Sequence, residues 1–187
     1  MRILGIDPGL TRCGVGVIDL GESRKVTLVS LDTFTSSAEI ELSERVGSIG
    51  LRIQQLIKES KPQAIALERV FSQQNVRSVM GTAQISGVVL MLAHQEQIPV
   101  YLHTPTEVKL AVTGSGRAAK AQVGAMVAKI LGLQEVPKPA DAADSLAIAI
   151  CHAWRAAGST ETLASEMTAA QKAWHAAERA ATASKRR

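Results

Sequence analysis

Cysteine and aromatic side chains are scarce in this 187-residue chain. There are two cysteines, Cys13 and Cys151, and five aromatics: two Phe, two Trp and one Tyr. The cysteines stand far apart and outside any C-x-x-C, which argues against a disulfide scaffold or a zinc site and favours two buried, small apolar side chains. With so few rings the core must be aliphatic, built from Ala, Val, Ile and Leu. No apolar run approaches the ~18 residues of a membrane span. The opening Met1-Arg2-Ile3-Leu4-Gly5-Ile6-Asp7 lacks the regions of a signal peptide, so a cytoplasmic location and no membrane partner are expected.

A hydrophobic content of 46% with 20% charged residues is ordinary for a globular protein, which excludes wholesale disorder and a fibrous fold. Net charge is +4, from 21 basic and 17 acidic residues. Residues 158–187 carry five Lys/Arg and three Glu, leaving sixteen against fourteen in residues 1–157. A nucleic-acid surface on the nearly neutral body would therefore depend on local clustering. Against a prior of ~150 residues per domain, the chain divides into one domain, 1–157, and an Ala-rich basic tail, 158–187, flexible or helical.

Residues 1–35 read as three strands, Arg2 to Asp7, Cys13 to Ile18 and Lys25 to Thr35, whose short links favour antiparallel pairing. Ser36 and Ser37 are candidate N-caps for a helix over 38–60, with Ile40, Val46, Ile49, Ile53 and Ile57 at helical spacing. A strand from Gln63 to Glu68, a polar loop over 69–76, a helix from Val79 to His94 and a strand from Ile98 to His103 follow, an alternation that requires parallel crossovers. Thr104-Pro105-Thr106-Glu107 is a capping box that starts a short helix, ended at Gly114-Ser115-Gly116. Helices over 119–131 and 140–156 complete the body. The expected architecture is a mixed five-stranded α/β sheet flanked by helices.

Three of the five aspartates, Asp7, Asp141 and Asp144, sit in or against apolar segments, as does Glu68 at the end of the uncharged strand Gln63-Ala64-Ile65-Ala66-Leu67. Burying lone carboxylates is costly unless a cation offsets them. Asp7 and Glu68 close two strands at the rim where open α/β sheets hold ligands. Asp141 and Asp144, i and i+3 in the first turn of a helix, share one face. If that helix packs beside the first strand, all four meet in one cleft. An all-oxygen set suits Mg²⁺ or Mn²⁺ rather than zinc, and two such ions ~3.5–4 Å apart serve phosphodiester cleavage. Acidic first turns are also common on plain helices, so capping and solvation stay open for Asp141 and Asp144.

Several blocks, in order, carry a family resemblance: Gly5-Ile6-Asp7-Pro8-Gly9-Leu10-Thr11-Arg12-Cys13-Gly14, Glu68-Arg69-Val70-Phe71, Gly81-Thr82-Ala83-Gln84, His103-Thr104-Pro105 with Val108-Lys109, Lys120-Ala121-Gln122-Val123, and Ala140-Asp141-Ala142-Ala143-Asp144-Ser145-Leu146-Ala147. Over residues 1 to about 155 the chain resembles the RuvC family of bacterial Holliday-junction resolvases. The resemblance implies a ribonuclease-H-like fold and a Mg²⁺-dependent crossover junction endodeoxyribonuclease with two ions per site, Mn²⁺ substituting. It makes Asp7, Glu68, Asp141 and Asp144 the metal-binding carboxylates and Lys109 and Lys120 the cations beside the scissile phosphate. It further implies four-way junction DNA as substrate, a homodimer that nicks opposed strands, and a branch-migration helicase complex as partner.

Phe71 lies in the polar run Arg69 to Arg77. An aromatic amid amides and arginines suits base stacking, and the resemblance gives it that role. Arg69, Arg77 and, in the basic Gly114-Ser115-Gly116-Arg117 segment, Arg117 join it as candidate DNA contacts. Met80, Val88, Leu90 and Met91 read either as core or, as the resemblance implies, as a dimer face. The four histidines, at 94, 103, 152 and 175, lack ligand spacing and read as structural or exposed, with His103 the one to check. Two competing readings are a non-catalytic junction-binding module and a relative of the actin and sugar-kinase ATPases, whose phosphate loop also uses Asp-x-Gly after a strand. The second Asp-x-Gly here, Asp19 to Gly21, comes too soon and reads as a hairpin turn.

Overall fold

A computed structural model describes residues 1–69 and 76–165. Its elements are β1 (Arg2–Asp7), β2 (Arg12–Leu20), β3 (Val26–Thr35), α1 (Leu42–Ser60), β4 (Ala64–Glu68), α2 (Val76–Gln95), β5 (Val100–His103), α3 (Pro105–Thr113), α4 (Lys120–Leu131) and α5 (Ala140–Ser165). The strands form one mixed sheet in the order β3-β2-β1-β4-β5. β1 pairs antiparallel with β2 and parallel with β4, and β4 pairs parallel with β5. The expected antiparallel meander extended by parallel strands is thus present. Asp19 to Gly21 ends β2 and leads through a short 3-10 turn, Glu22–Arg24, into β3, the hairpin connection read from the sequence.

Strand alternation divides the core in two. Leu4 and Ile6 of β1 pack with Ile65, Leu67 and the α1/α2 residues Ile49, Ile53, Ile85 and Val89. Ile3, with Ala64 and Ala66 of β4, faces α3, α4 and α5 through Val108, Val127, Leu146 and Ile150. The same period of two puts Asp7 and Glu68 on the α5 side. Both cysteines are buried, as expected, and burial pushes the Cys13 thiol up to about 12.

The long helix α5 lies directly on β1 and β2. Residues Leu146 to Cys151 are all fully buried, so this stretch of the helix is apolar on every side. Close approach depends on glycine. A Cβ on Gly5 would strike the Ser145 carbonyl and come within 2.8 Å of Ala149 Cβ. One on Gly14 would strike the Asp141 carbonyl, and one on Gly16 would lie 2.7 Å from a Leu146 methyl. Ala142, Ala143, Ala147 and Ala149 are the matching small residues on the helix.

Several boundaries differ from the sequence reading. α1 starts at Leu42 instead of 38, and neither Ser36 nor Ser37 caps it. Ser36 Oγ donates to the Leu10 carbonyl and accepts from Arg45, while Ser37 Oγ accepts from Glu39 N, leaving Ile40 exposed. α2 begins at Val76, and β5 begins only at Val100, after Pro99. The expected capping box at Thr104 is formed, and α3 ends on Gly114 in the left-handed region. The glycine segment after it is a hydrogen-bonded turn in which Ser115 N donates to Thr113 Oγ1 and Ala118 N to Ser115 O. α5 continues past residue 157 to Ser165, and by internal packing the chain divides into Met1–Trp154 and Arg155–Arg187. Among the described residues, no helix is long and apolar enough to cross a membrane.

The glycine notch can be tested by substitution. Gly5→Ala is expected to lower unfolding stability in denaturant by about 1–3 kcal/mol through overpacking. Gly47→Ala in α1, where an added Cβ meets nothing within 4 Å, is expected to raise it by a few tenths to about 1 kcal/mol.

Candidate active site

Asp7 and Glu68 end adjacent parallel strands, one residue beyond the paired Ile6 and Leu67. Asp141 and Asp144 occupy the first turns of α5, held over β2 by the Gly14 contact. The sequence-distant carboxylates therefore converge, and their electrostatics record it. Burial pushes the Asp7 carboxyl up to about 8, reinforced by the negative charges of Glu68, Asp144 and Asp141 and opposed by Lys120. Glu68 is raised as well, by burial first and then by Asp144, with Lys120, a hydrogen bond from Asp7 and Lys109 pulling the other way. Asp7 and Glu68 are thus joined by a hydrogen bond in which Asp7, the more deeply buried carboxyl, has the stronger tendency to keep its proton.

Two cations answer the α5 carboxylates. Lys120 Nζ lies 3.0 Å from Asp144 Oδ2, and Arg12 Nε lies 2.9 Å from Asp141 Oδ2. The hydrogen bond with Asp144, followed by attraction to Asp144, Asp7 and Asp141, holds the Lys120 ammonium above its ordinary range. Lys120 is the first residue of α4, where the helix dipole disfavours a cation and no side chain caps the end. Such a departure from local preference fits a residue placed for its electrostatic partners.

Each residue singled out from sequence can now be located. Lys109, half-buried on α3, is close enough to Glu68 to lower its pKa. Arg69 is exposed just past β4, with its backbone N–H donating to His103 O at 2.8 Å. Arg117 is exposed in the turn before α4, its N–H donating to Ser115 Oγ. Phe71 lies outside the described residues, as does the side chain of Arg77, whose backbone belongs to α2. Along α2, Met80, Leu90 and Met91 are exposed, while Ile85, Val89, Leu92 and Ala93 form its core face and Val88 is partly buried.

Sequence reasoning missed two features. Arg12 stood in a quoted motif without a role; the signal for it was a basic residue opening β2 next to Gly14. Arg45 was unremarked, and its guanidinium bonds Ser36 Oγ at 3.0 Å and Thr11 Oγ1 at 3.1 Å. Both arginines, with Asp7, Thr11 and Asp141, line a cleft of about 860 Å³. His103 and His152 prove structural: His103 Nε2 is 3.3 Å from His152 Nδ1, and Cys151 Sγ is 3.8 Å from His103 Nδ1. Burial, then His103, pushes His152 down to about 4. This buried cluster lies behind the strand register in which His103 opposes Glu68.

The donor set fits a hard divalent ion. It is all oxygen, partly desolvated and self-repelling, so an entering cation relieves the charge that raises Asp7 and Glu68. Among the described residues, no group of three or more His, Cys, Asp or Glu is already assembled as a metal cage. Arg12 and Lys120 each engage one of the two α5 carboxylates in an ion pair.

Comparison with known proteins agrees with the geometry. The family model described as crossover junction endodeoxyribonuclease RuvC matches residues 3–152. A curated relative of that name from Leifsonia xyli subsp. xyli is 53% identical over 192 residues, covering 96% of this chain and 92% of the relative. The structure of Thermus thermophilus RuvC in complex with Holliday junction substrate aligns with a TM-score of 0.81 at 38% identity, covering 86% of this chain and 97% of that one. The yeast mitochondrial Holliday junction resolvase Ydc2 aligns at 0.62 with 17% identity over 85% of this chain and 80% of its own, a likeness of fold alone. The fold is ribonuclease-H-like.

The raised Asp7 has a consequence for stability. A carboxyl whose folded value lies near 8, against 3.8 ordinarily, favours folding while protonated; that contribution is complete below about pH 4 and is lost as pH rises through 8. Asp7→Asn, neutral at every pH, is expected to be more stable than the parent at pH 8.5 in chelator, by on the order of a few kcal/mol. At pH 4, near the ordinary carboxylate value, the two should differ little. Urea unfolding at both values checks this.

Proposed function

The chain belongs to the RuvC family of crossover junction endodeoxyribonucleases, and from that premise we propose how its own residues resolve a four-way junction. It is a junction-resolving nuclease that hydrolyses phosphodiester bonds in recombination and repair, and its family is metal-dependent. This sets aside the ATPase and non-catalytic readings. For the ion we propose Mg²⁺, two per site, with Mn²⁺ able to substitute.

In this reading Asp7, Glu68, Asp141 and Asp144 hold the ions. Bound there, paired divalent ions supply activation of the attacking water and stabilisation of the leaving oxygen. Lys120 acts as a fixed charge, since its carboxylate neighbours keep it protonated, and it offsets negative charge on the phosphoryl oxygens. Lys109 adds charge on the Glu68 side. The small Ala142 and Ala143 between the α5 carboxylates leave the approach uncrowded. One observation carries the reading above the others: a carboxyl raised to about 8 by burial and three acidic neighbours drawn from two other elements. A module that only bound a polyanion would gain nothing from such repulsion.

Phe71 stacks on bases of the opened junction, with Arg69, Arg77 and Arg117 on nearby phosphates. Phosphate contacts give affinity and salt dependence, and junction shape gives selectivity. The exposed α2 residues Met80, Leu90 and Met91 form the face of a two-fold homodimer, which sets two sites against two symmetry-related strands. The nuclease body is the unit Met1–Trp154, a few residues shorter than the 1–157 read from the sequence, and no role in the chemistry is assigned to the residues after it. The enzyme works in the cytoplasm with a branch-migration helicase complex.

A labelled synthetic four-way junction, incubated with and without Mg²⁺, tests this directly. The parent is expected to nick opposed strands only with the ion. Asp7→Asn should bind the junction and lose cleavage by orders of magnitude; normal turnover by this variant would refute the site. Phe71→Ala should slow cleavage and reduce junction opening, read by a base-analogue fluorophore at the crossover, with unchanged thermal unfolding. Opening and rate equal to the parent would remove the stacking role.

A further inference from the structure

Arg12 makes one of the two ion pairs on the α5 carboxylates. Its Nε lies 2.9 Å from Asp141 Oδ2, much as Lys120 Nζ lies 3.0 Å from Asp144 Oδ2. The cations arrive from different elements, β2 and α4, and each takes one member of the i, i+3 pair. The backbone around Arg12 is pinned. Ser36 N donates to Thr11 O at 3.1 Å, Arg45 bonds both Ser36 Oγ and Thr11 Oγ1, and Gly14 abuts the Asp141 carbonyl. The side chain is not: it is 62% exposed and lines the cleft that also contains Asp7 and Asp141.

An ion pair this exposed contributes little to stability, so fold maintenance is a poor explanation for it. A guanidinium is, however, the side chain best matched to phosphate oxygens, through paired N–H donors in a fixed plane. Asp141 cannot fully serve a guanidinium and a divalent cation together, because the two positive charges repel. Release of Arg12 from Asp141 leaves a cation on a pinned backbone in the cleft where a sugar-phosphate chain must lie to reach Asp7.

We propose that Arg12 is a phosphate-binding residue that exchanges Asp141 for a backbone phosphate of the junction when divalent ions enter. It rests on the nuclease reading and adds a further phosphate-directed cation, from β2, opposite Lys120 on α4. The exchange also makes Arg12 a competitor of the ion: Asp141 is guarded by a guanidinium until both ligands are present.

Binding measurements on the full chain test this apart from turnover. Junction affinity is measured by fluorescence anisotropy over a salt series, once in Ca²⁺ and once in chelator, and Mn²⁺ uptake without DNA is measured by calorimetry. In Ca²⁺, Arg12→Gln is expected to weaken junction binding about fivefold and to reduce the salt slope by about one. In chelator, with Arg12 engaged on Asp141, the loss should be less than about twofold. Mn²⁺ uptake by Arg12→Gln should be several-fold tighter than by the parent, and Arg12→Lys should restore the salt slope. Parental affinity and slope in Ca²⁺, an equal loss in both conditions, or unchanged Mn²⁺ uptake would each overturn the exchange. A parent protein that neither binds nor cuts the junction with Mg²⁺ would instead overturn the nuclease reading, and this inference with it.

Discussion

Repulsion among four carboxylates, held together by a helix pressed against a glycine-notched sheet, is the constraint from which the other features follow. Gly5, Gly14 and Gly16 remove the side chains that would lift α5 away, and Ala142, Ala143, Ala147 and Ala149 remove them from the other surface. With the helix seated, Asp141 and Asp144 come within electrostatic range of Asp7, and the parallel pairing of β1 with β4 brings Glu68 beside it. Separated, none of these groups would be remarkable. Together they add to the burial that raises Asp7 to about 8, and Arg12 and Lys120 pair with the two α5 carboxylates. The packing that stabilises the core is therefore the packing that strains the site.

Much of this was legible from the chain. Alternation and turn residues gave the meander, the Thr104 capping box, the Gly114 stop and the two parallel crossovers. A shortage of aspartate made Asp7, Asp141 and Asp144 conspicuous, and the uncharged run before Glu68 did the same for that residue. The failures were local. Ser36 looked like an N-cap because serine before an apolar stripe usually is one, but its hydroxyl is committed to Leu10 and Arg45 across the molecule. Ile40 fitted the helical spacing yet precedes the helix. Arg12 escaped because a basic residue at a strand start has no periodic signature; its partner, Asp141, is 129 positions away, and only the fold joins them. The His103, His152 and Cys151 cluster was invisible for the same reason.

Charge distribution follows the same logic. The body carries almost no net charge, so its attraction for a polyanion depends on where its cations sit. Arg12, Arg45, Lys109 and Lys120 lie on β2, α1, α3 and α4, four elements that border the carboxylates. A cleft that is acidic at its floor and basic at its rim suits a substrate whose phosphates bridge bound cations below and guanidinium or ammonium groups beside them. Burial behind Glu68 pushes His152 down to about 4, which disfavours a positive charge on it.

Burial and its acidic neighbours raise the Asp7 carboxyl, so a divalent ion entering the cleft competes with a proton there. Calorimetric titration of Mn²⁺ at pH 7, in buffers of different ionisation enthalpy, counts protons released on binding. The account predicts about one proton released per site in the parent and almost none in Asp7→Asn. Heats independent of the buffer, or the same release from both proteins, would contradict it.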